Sequence, residues 1–349
     1  MPDRGRRRAA IRDELVTLSH GAGGKATRDL VEALFVHELG NDALAPLGDS
    51  AVLAGIEGRL ALTTDAYVVR PLSFPGGDIG ELAVNGTVND LAVVGARPLW
   101  LTAGFVLEEG FPISELRGLV GTMAAAARAA GVAVAAGDTK VVERGRADGL
   151  YVTTAGVGVL DHGLALTPAA VQPGDRVLLS GTLADHGMAV MLARGELALE
   201  SEIESDTAPV HELAASLVRL GDELRWMRDP TRGGLATALN ELVAASGLTV
   251  RIDEAALPVR PAVAAACEIL GIDPLYVANE GKLIAVVAPG AEERALAALR
   301  THATGSESVA IGTVEAVGAD DEPFVLLDTA LGGARIVDLM VGDPLPRIC

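Results

Sequence analysis

Five aspartates stand where strand-like runs end or loops begin, each beside small residues. They are Asp49 (Leu-Gly-Asp-Ser), Asp65 (Thr-Thr-Asp-Ala), Asp90 (Val-Asn-Asp-Leu), Asp138 (Ala-Gly-Asp-Thr) and Asp229 (Arg-Asp-Pro-Thr). Carboxylates so placed suit Mg²⁺, which takes oxygen ligands and leaves positions for phosphate. A lone aspartate of this kind is usually a turn residue or a helix cap. Five in one chain argue for a shared task.

Other residues extend that chemistry. His20-Gly-Ala-Gly-Gly-Lys25 invites comparison with a phosphate-binding P-loop, but Ala26 stands where the Mg²⁺-binding hydroxyl is required and the glycine spacing is wrong. A glycine loop with one lysine over phosphates remains open. Asp229-Pro-Thr-Arg-Gly-Gly234 runs into a helix whose first N–H groups could receive a phosphate, or could simply start the helix. Glu280, in Asn-Glu-Gly-Lys282, could act as a general base if its loop faces a pocket. Lys140, two residues after Asp138, could neutralise phosphate or orient an amide oxygen. The chain ends Asp-Pro-Leu-Pro-Arg-Ile-Cys349. Its prolines favour an extended tail, which puts a nucleophile on a movable arm.

The elements that must hold these residues follow from periodicity. A helix is expected from about Thr27 to Glu38 and another from Asp78 to about Val94, opened by a capping-box-like Asp78 and Glu81. Asn85 and Asn89 continue the polar face of the second from Glu81. Strands are expected at Ala51–Ala54, Leu60–Thr64, Pro98–Leu107, Val132–Ala135 and Leu150–Val159, with a helix over Ser114–Ala130. After Pro168 and Pro173 a strand at Arg176–Ser180 begins a second unit. Helices there fall near 184–194, 207–220, 231–246 and 259–270, and strands near 249–252, 283–287, 309–316 and 323–328. The fold class is α/β, in α+β layers: a loose arm 1–15, domains 16–168 and 169–338, and a tail 339–349.

Composition narrows the function. The formal charge of −19 argues against nucleic acid or an anionic membrane as a partner, since both need a basic surface. Two cysteines, Cys267 and Cys349, make no disulfide framework, which fits a reducing cytoplasm. Cys267 falls in an apolar helical run and reads as a buried small hydrophobe. No apolar stretch is long enough to span a bilayer. Glycine is abundant, 41 residues in 349, and clustered, as close backbone approach to a ligand would require.

These motifs together resemble the HypE family of hydrogenase maturation factors, within the wider aminoimidazole ribonucleotide synthetase superfamily. The likeness starts near residue 16. It rests on His20–Lys25, Gly48-Asp-Ser50, Thr63-Thr-Asp65, Phe74-Pro-Gly-Gly-Asp78, Val84–Leu91, Gly137-Asp-Thr-Lys140, Asp229–Gly234, Asn279-Glu-Gly-Lys282 and the terminal Pro-Arg-Ile-Cys349. The resemblance implies a two-domain, aminoimidazole ribonucleotide synthetase-like fold, a homodimer formed by the N-terminal half, and ATP in a cleft near that interface. It implies a carbamoyltransferase partner, HypF, that loads Cys349. ATP-dependent dehydration of the carbamoyl group to a thiocyanate follows, and then delivery to a HypC–HypD complex. Asp49, Asp65, Asp90, Asp138 and Asp229 become candidates for Mg²⁺ and ATP. Lys25, Asn85, Asn89, Gly137, Thr139 and Arg232 are further ATP-site candidates, and Cys349, Glu280 and Lys140 are the catalytic set. Selenophosphate synthetases would want a reactive Cys or selenocysteine in the glycine loop, which has neither. Thiamine monophosphate kinases and purine-pathway synthetases leave Cys349 unexplained. A non-catalytic carrier of groups between partners is the alternative from a different class.

Overall fold

The computed structural model describes residues 11–48, 50–53, 55–195, 202–318 and 322–340. The first unit opens with a continuous helical stretch, α1 (Lys25–Leu30), a π-type turn Val31–Phe35, and α2 (Val36–Leu39). It continues through β1 (Arg59–Tyr67), the short hairpin β2 (Ser73–Phe74) and β3 (Gly77–Asp78), α3 (Ile79–Val93), β4 (Arg97–Glu108), α4 (Ile113–Ala129), β5 (Ala133–Val142) and β6 (Leu150–Leu160). The second contains β7 (Arg176–Leu179), α5 (Asp185–Ala193), α6 (His211–Val218), β8 (Leu224–Arg228), α7 (Gly234–Ser246), β9 (Thr249–Asp253), α8 (Pro261–Leu270), β10 (Ile284–Val287), α9 (Glu292–Leu299), β11 (Val309–Glu315), β12 (Val325–Asp328) and β13 (Ala334–Val337).

Four strands form one sheet in the order β1-β6-β4-β5; seven form the other, β13-β12-β9-β11-β7-β10-β8. Helix α3 explains how the two units join. Asp78 caps it, accepting the N–H groups of Gly80 and Glu81 at 2.8 and 3.1 Å. The polar face expected through Asn85 and Asn89 is itself buried, so that the helix is covered nearly all round, the condition of a helix enclosed on every side. Leu82 and Val88 pack in the first core with Leu101, Leu116 and Met123. Ala92 and Val93 pack among Leu178, Leu213 and Leu283 of the second unit. Truncating a fully buried leucine such as Leu82 to Ala would cost about 2–5 kcal/mol.

The elements differ from the sequence reading in several places. Ala51–Leu53 is not a strand, because β1 already forms the sheet edge. β5 runs on through Gly137–Lys140, so Asp138 lies inside a strand and not in a loop after one. Helix α6 starts only at His211: the preceding residues run as a strap whose polar groups bond to both units, Ser205 N–H and Val210 N–H to the first and Asp206 and Ala208 to the second. Gly233 and Gly234 both take positive φ, 73° and 60°, which delays α7 to Gly234. Strand β13 and helix α9 were not expected. Residues Glu14 to Val16 pair their backbone with Gly110–Ile113.

Among the described residues, one face of the four-stranded sheet is covered, by α3, α4 and Phe35 of the helical stretch α1–α2, and the other is open. The other carries Leu62, Val157 and Trp100, which follow one another across β1, β6 and β4. Leu60 and Leu62 on this face are 61% and 76% exposed.

Candidate active site

At the β1 edge, the two units close around a cleft lined by Asp65, Tyr67, Asp90, Asp229, Arg232 and Glu280. β1 supplies Asp65, facing α3, and Thr87 of α3 donates to it at 3.1 Å. Thr63 of β1 donates in return to Asp90 of α3 at 2.7 Å. From the second unit, Asp229 follows β8 and Glu280 precedes β10. Asn279, fully buried, ties those two loops together: its Nδ2 donates to Pro230 O at 2.9 Å and its Oδ1 accepts Ala184 N–H at 2.8 Å.

The electrostatics are those of crowded carboxylates. Burial, then the negative charge of Asp90, pushes the Asp229 carboxyl up to about 7. Burial first, then Asp229, Asp206, Asp65 and Asp90, holds Glu280 well above the usual carboxylate range. Asp65 is also raised, by burial and by Asp90, against the opposing hydrogen bonds from Thr87 and Tyr67. Arg232 is the one cation among the described residues lining the cleft, and it is exposed. A carboxylate set this short of positive charge suits a hard cation. Among the described residues, no three His, Cys, Asp or Glu side chains converge closely enough to enclose a metal by themselves. One or two carboxylates would therefore hold the ion, with water and phosphate completing the shell, the usual arrangement for Mg²⁺.

The structure divides the expected site residues. Asp65, Asp90, Asp229, Arg232 and Glu280 come together. Asp138, expected beside them, does not. Asp65, Thr154, Ala103 and Gly137 lie in one row across β1, β6, β4 and β5, so three strand spacings, about 14 Å, separate Asp65 from Gly137. Asp138 and Lys140 are exposed and paired at 3.0 Å. The Asp138 carboxyl sits below its usual range through the hydrogen bond from Lys140 and the N–H of Thr139. Asp138, Gly137 and Thr139 border a different, apolar cleft with Phe35, Leu39, Phe105 and Val134. Gly21 packs against Val141 of β5, so the glycine loop that ends at exposed Lys25 also lies at the β5 edge.

Asn85 and Asn89 do not line the acidic cleft. Both are buried at the junction of the units: Asn85 Nδ2 donates to Thr207 Oγ1 at 3.3 Å. Asn89 donates to Ala208 O and Glu280 O and accepts the Val210 N–H. Their polar face is spent on domain contact. Asp49 and Cys349 lie outside the described residues. Cys267 is buried as expected, and burial pushes its thiol up to about 11. Thr63, Thr87 and Asn279 fall inside the motifs quoted above, whereas Tyr67 lies outside all of them.

Two family models match the chain: AIR synthase related protein, N-terminal domain, over residues 47–160, and the corresponding C-terminal domain over 172–321. The carbamoyl dehydratase HypE of Bradyrhizobium diazoefficiens is 54% identical over 344 residues, covering 98% of this chain and 99% of that one. A crystal structure of hydrogenase maturation protein HypE in complex with ATP superposes with a TM-score of 0.91 at 43% identity, covering 95% of this chain and 99% of that one. The HypE chain of a HypE–HypF complex matches at 46% identity and a TM-score of 0.78, over 89% of this chain and 99% of that one. With a shared fold, near-complete coverage and half its residues in common with such a relative, this chain belongs to the HypE family of carbamoyl dehydratases.

Proposed function

We propose that this protein uses ATP to dehydrate an S-carbamoyl group on Cys349 to a thiocyanate, a source of the cyanide ligands of the [NiFe]-hydrogenase iron. The observation that carries the reading is the cleft between the units, where buried Asp229 and Glu280 meet half-buried Asp65 and Asp90, with Arg232 the one cation among the described lining residues. Support comes also from the relatives, one solved with ATP and one with HypF.

An amide oxygen leaves poorly. Transfer of the γ-phosphate to that oxygen releases ADP and converts it to a phosphate ester, which departs as the C≡N bond forms. The nitrogen loses both protons over the two steps, and Glu280 is placed to take one. Its raised pKa makes it a stronger proton acceptor than an ordinary carboxylate. Asp65, Asp90 and Asp229 are the residues to hold Mg²⁺, which supplies charge neutralisation at the phosphates. Arg232, which lines the same cleft, would meet the phosphates. Attachment of the group to a tethered thiol keeps the reactants together.

The glycine loop, Asp138, Thr139 and Lys140 join this site through a second copy. A two-fold axis along the strands would lay the open face of one sheet on the other, with β1 of one copy over β5 of its mate. That pairing would cover Leu60, Leu62 and Trp100. It would also bring Lys25 and Lys140 of one copy toward the acidic cleft of the other, with the apolar cleft beside Thr139 open to an adenine. HypF then loads Cys349 and a HypC–HypD complex accepts the product, in the cytoplasm. Among the described residues no helix is long and apolar enough to cross a membrane.

Intact mass measured after incubation with HypF, carbamoyl phosphate and ATP tests the reaction. Carbamoyl and then cyano masses should map to the terminal peptide and vanish in Cys349→Ala. ATP hydrolysis absent from the carbamoylated protein would leave only a carrier. Mixing Asp65→Asn with Lys140→Ala chains should restore about a quarter to a half of the activity if each site draws on two copies. No recovery would place the two sets in separate sites.

A further inference from the structure

Outside the cleft, a buried carboxylate, Asp206, lies in the strap 202–210 that leads into α6. Asp206 is 3% exposed in its side chain and pairs with Lys282 at 3.0 Å. Its Oδ1 accepts the backbone N–H of Glu280 at 3.1 Å. Burial would raise this carboxyl, but Lys282 and His186 overcome it and hold it below the usual range, so it stays charged. Between these two bonds sits Gly281, where a Cβ would come within 1.8 Å of Asp206 O; any side chain there would force strap and loop apart. The Glu280 carbonyl is held from the other side by Asn89 Nδ2 at 3.2 Å, while the same asparagine grips the strap at Ala208 O and the Val210 N–H. The strap is anchored in turn to the Phe74–Gly77 motif, where Ser205 N–H donates to Pro75 O at 2.8 Å.

We infer that Asp206 is a positioning residue for Glu280: with Lys282 and Asn89 it clamps both peptide groups of that residue, so that the carboxylate meets its substrate at a fixed place. The inference rests on the proposed role of Glu280 as base. A paired buried charge is, on balance, a poor stabiliser compared with an apolar residue. A site that moves a proton needs its base held to within a fraction of an ångström, and a misplacement of about 1 Å can cost about 10²-fold in rate.

The test is a double-mutant cycle on the full chain in single-turnover dehydration of the carbamoylated protein. Asp206→Ala should slow dehydration about 10²-fold, leaving ATP affinity and carbamoyl acceptance unchanged. Asp206→Asn keeps an oxygen for the Glu280 N–H and loses the ion pair, so it should slow the step less, by about tenfold. In a Glu280→Gln background either substitution should add less than about twofold, because a clamp has nothing left to position. Equal losses in both backgrounds, or an Asp206→Ala rate within about threefold of wild type, overturn the inference. Should Asp206→Ala fail to fold, the Asp206→Asn pair decides in the same way. Hydrogen exchange at the Glu280 amide separates this inference from the base assignment. It should quicken in Asp206→Ala even if Glu280→Gln proves fully active, and unchanged exchange would also overturn the clamp.

Discussion

At the β1 edge of the four-stranded sheet, Asp65, Asp90 and Asp229 are gathered with Glu280 under cover of the second unit, and the carboxyls of Asp65, Asp229 and Glu280 are driven upward. At the β5 edge, Asp138 stands in solvent beside Lys140 and its carboxyl is driven downward. The residue type is the same; the surroundings differ. Crowded carboxylates removed from water are an incomplete site that gains from a cation. An exposed pair is already satisfied and is worth little to the fold. On the proposed reading, chemistry concentrates at the first edge and the second contributes contacts.

The comparison can be broken most forcefully at Glu280. Glu280→Gln should slow dehydration by about 10²–10⁴-fold, the usual worth of a general base, with MgATP affinity unchanged by calorimetry. A variant within about threefold of wild type would remove Glu280 from the role, and loss of ATP binding would move it among the metal ligands. Next in size is Asp229→Asn. It should weaken binding of a non-hydrolysable MgATP analogue about tenfold or more, while the nucleotide-free protein becomes more stable near pH 7.5. A melting point higher by about 2–4 °C would correspond to ~1 kcal/mol in a domain of this size. Unchanged affinity would take Asp229 out of the site.

The pH dependence sharpens the same contrast. The native Asp229 carboxyl titrates near 7, above the unfolded value of about 3.9. The native state therefore binds this proton more tightly. Its contribution to stability is fully present below about pH 4 and is lost as pH rises through about 7. Thermal melts of nucleotide-free protein should show that decline between pH 5 and 7.5, and Asp229→Asn should flatten it. An identical slope in the variant would mean that another group carries it. The smallest effect is expected at the other edge. Asp138→Asn should reduce MgATP affinity only a few-fold and leave the melting point within about 1 °C, since exposed pairs contribute about 0–1 kcal/mol. A loss larger than that of Asp229→Asn would reverse the ranking of the two edges.

Much of this molecule could be read along the chain. Local signals fix local structure: Asp78 starts α3 because a carboxylate accepts the free N–H groups of a first turn. Cys267 is buried because an apolar helical run has to be. The motifs around Asp65, Asp90, Asp229 and Glu280 were legible as chemistry, since each sets a carboxylate beside small residues, and the family follows from their order. Which of them meet was not legible. Asp65 and Asp138 look alike in sequence, and only the pairing order β1-β6-β4-β5 puts them at opposite edges. Asn85 and Asn89 looked like ligands because a polar face on a helix does not say what covers it; the second unit covers it. Asp206 gave no signal, because its partners, the Glu280 amide and Lys282, lie more than seventy residues away. Residue types and spacing determined what chemistry was available. Burial, strand order and the meeting of distant loops decided which charges feel one another, because desolvation and Coulomb energy depend on distance in space and not along the chain.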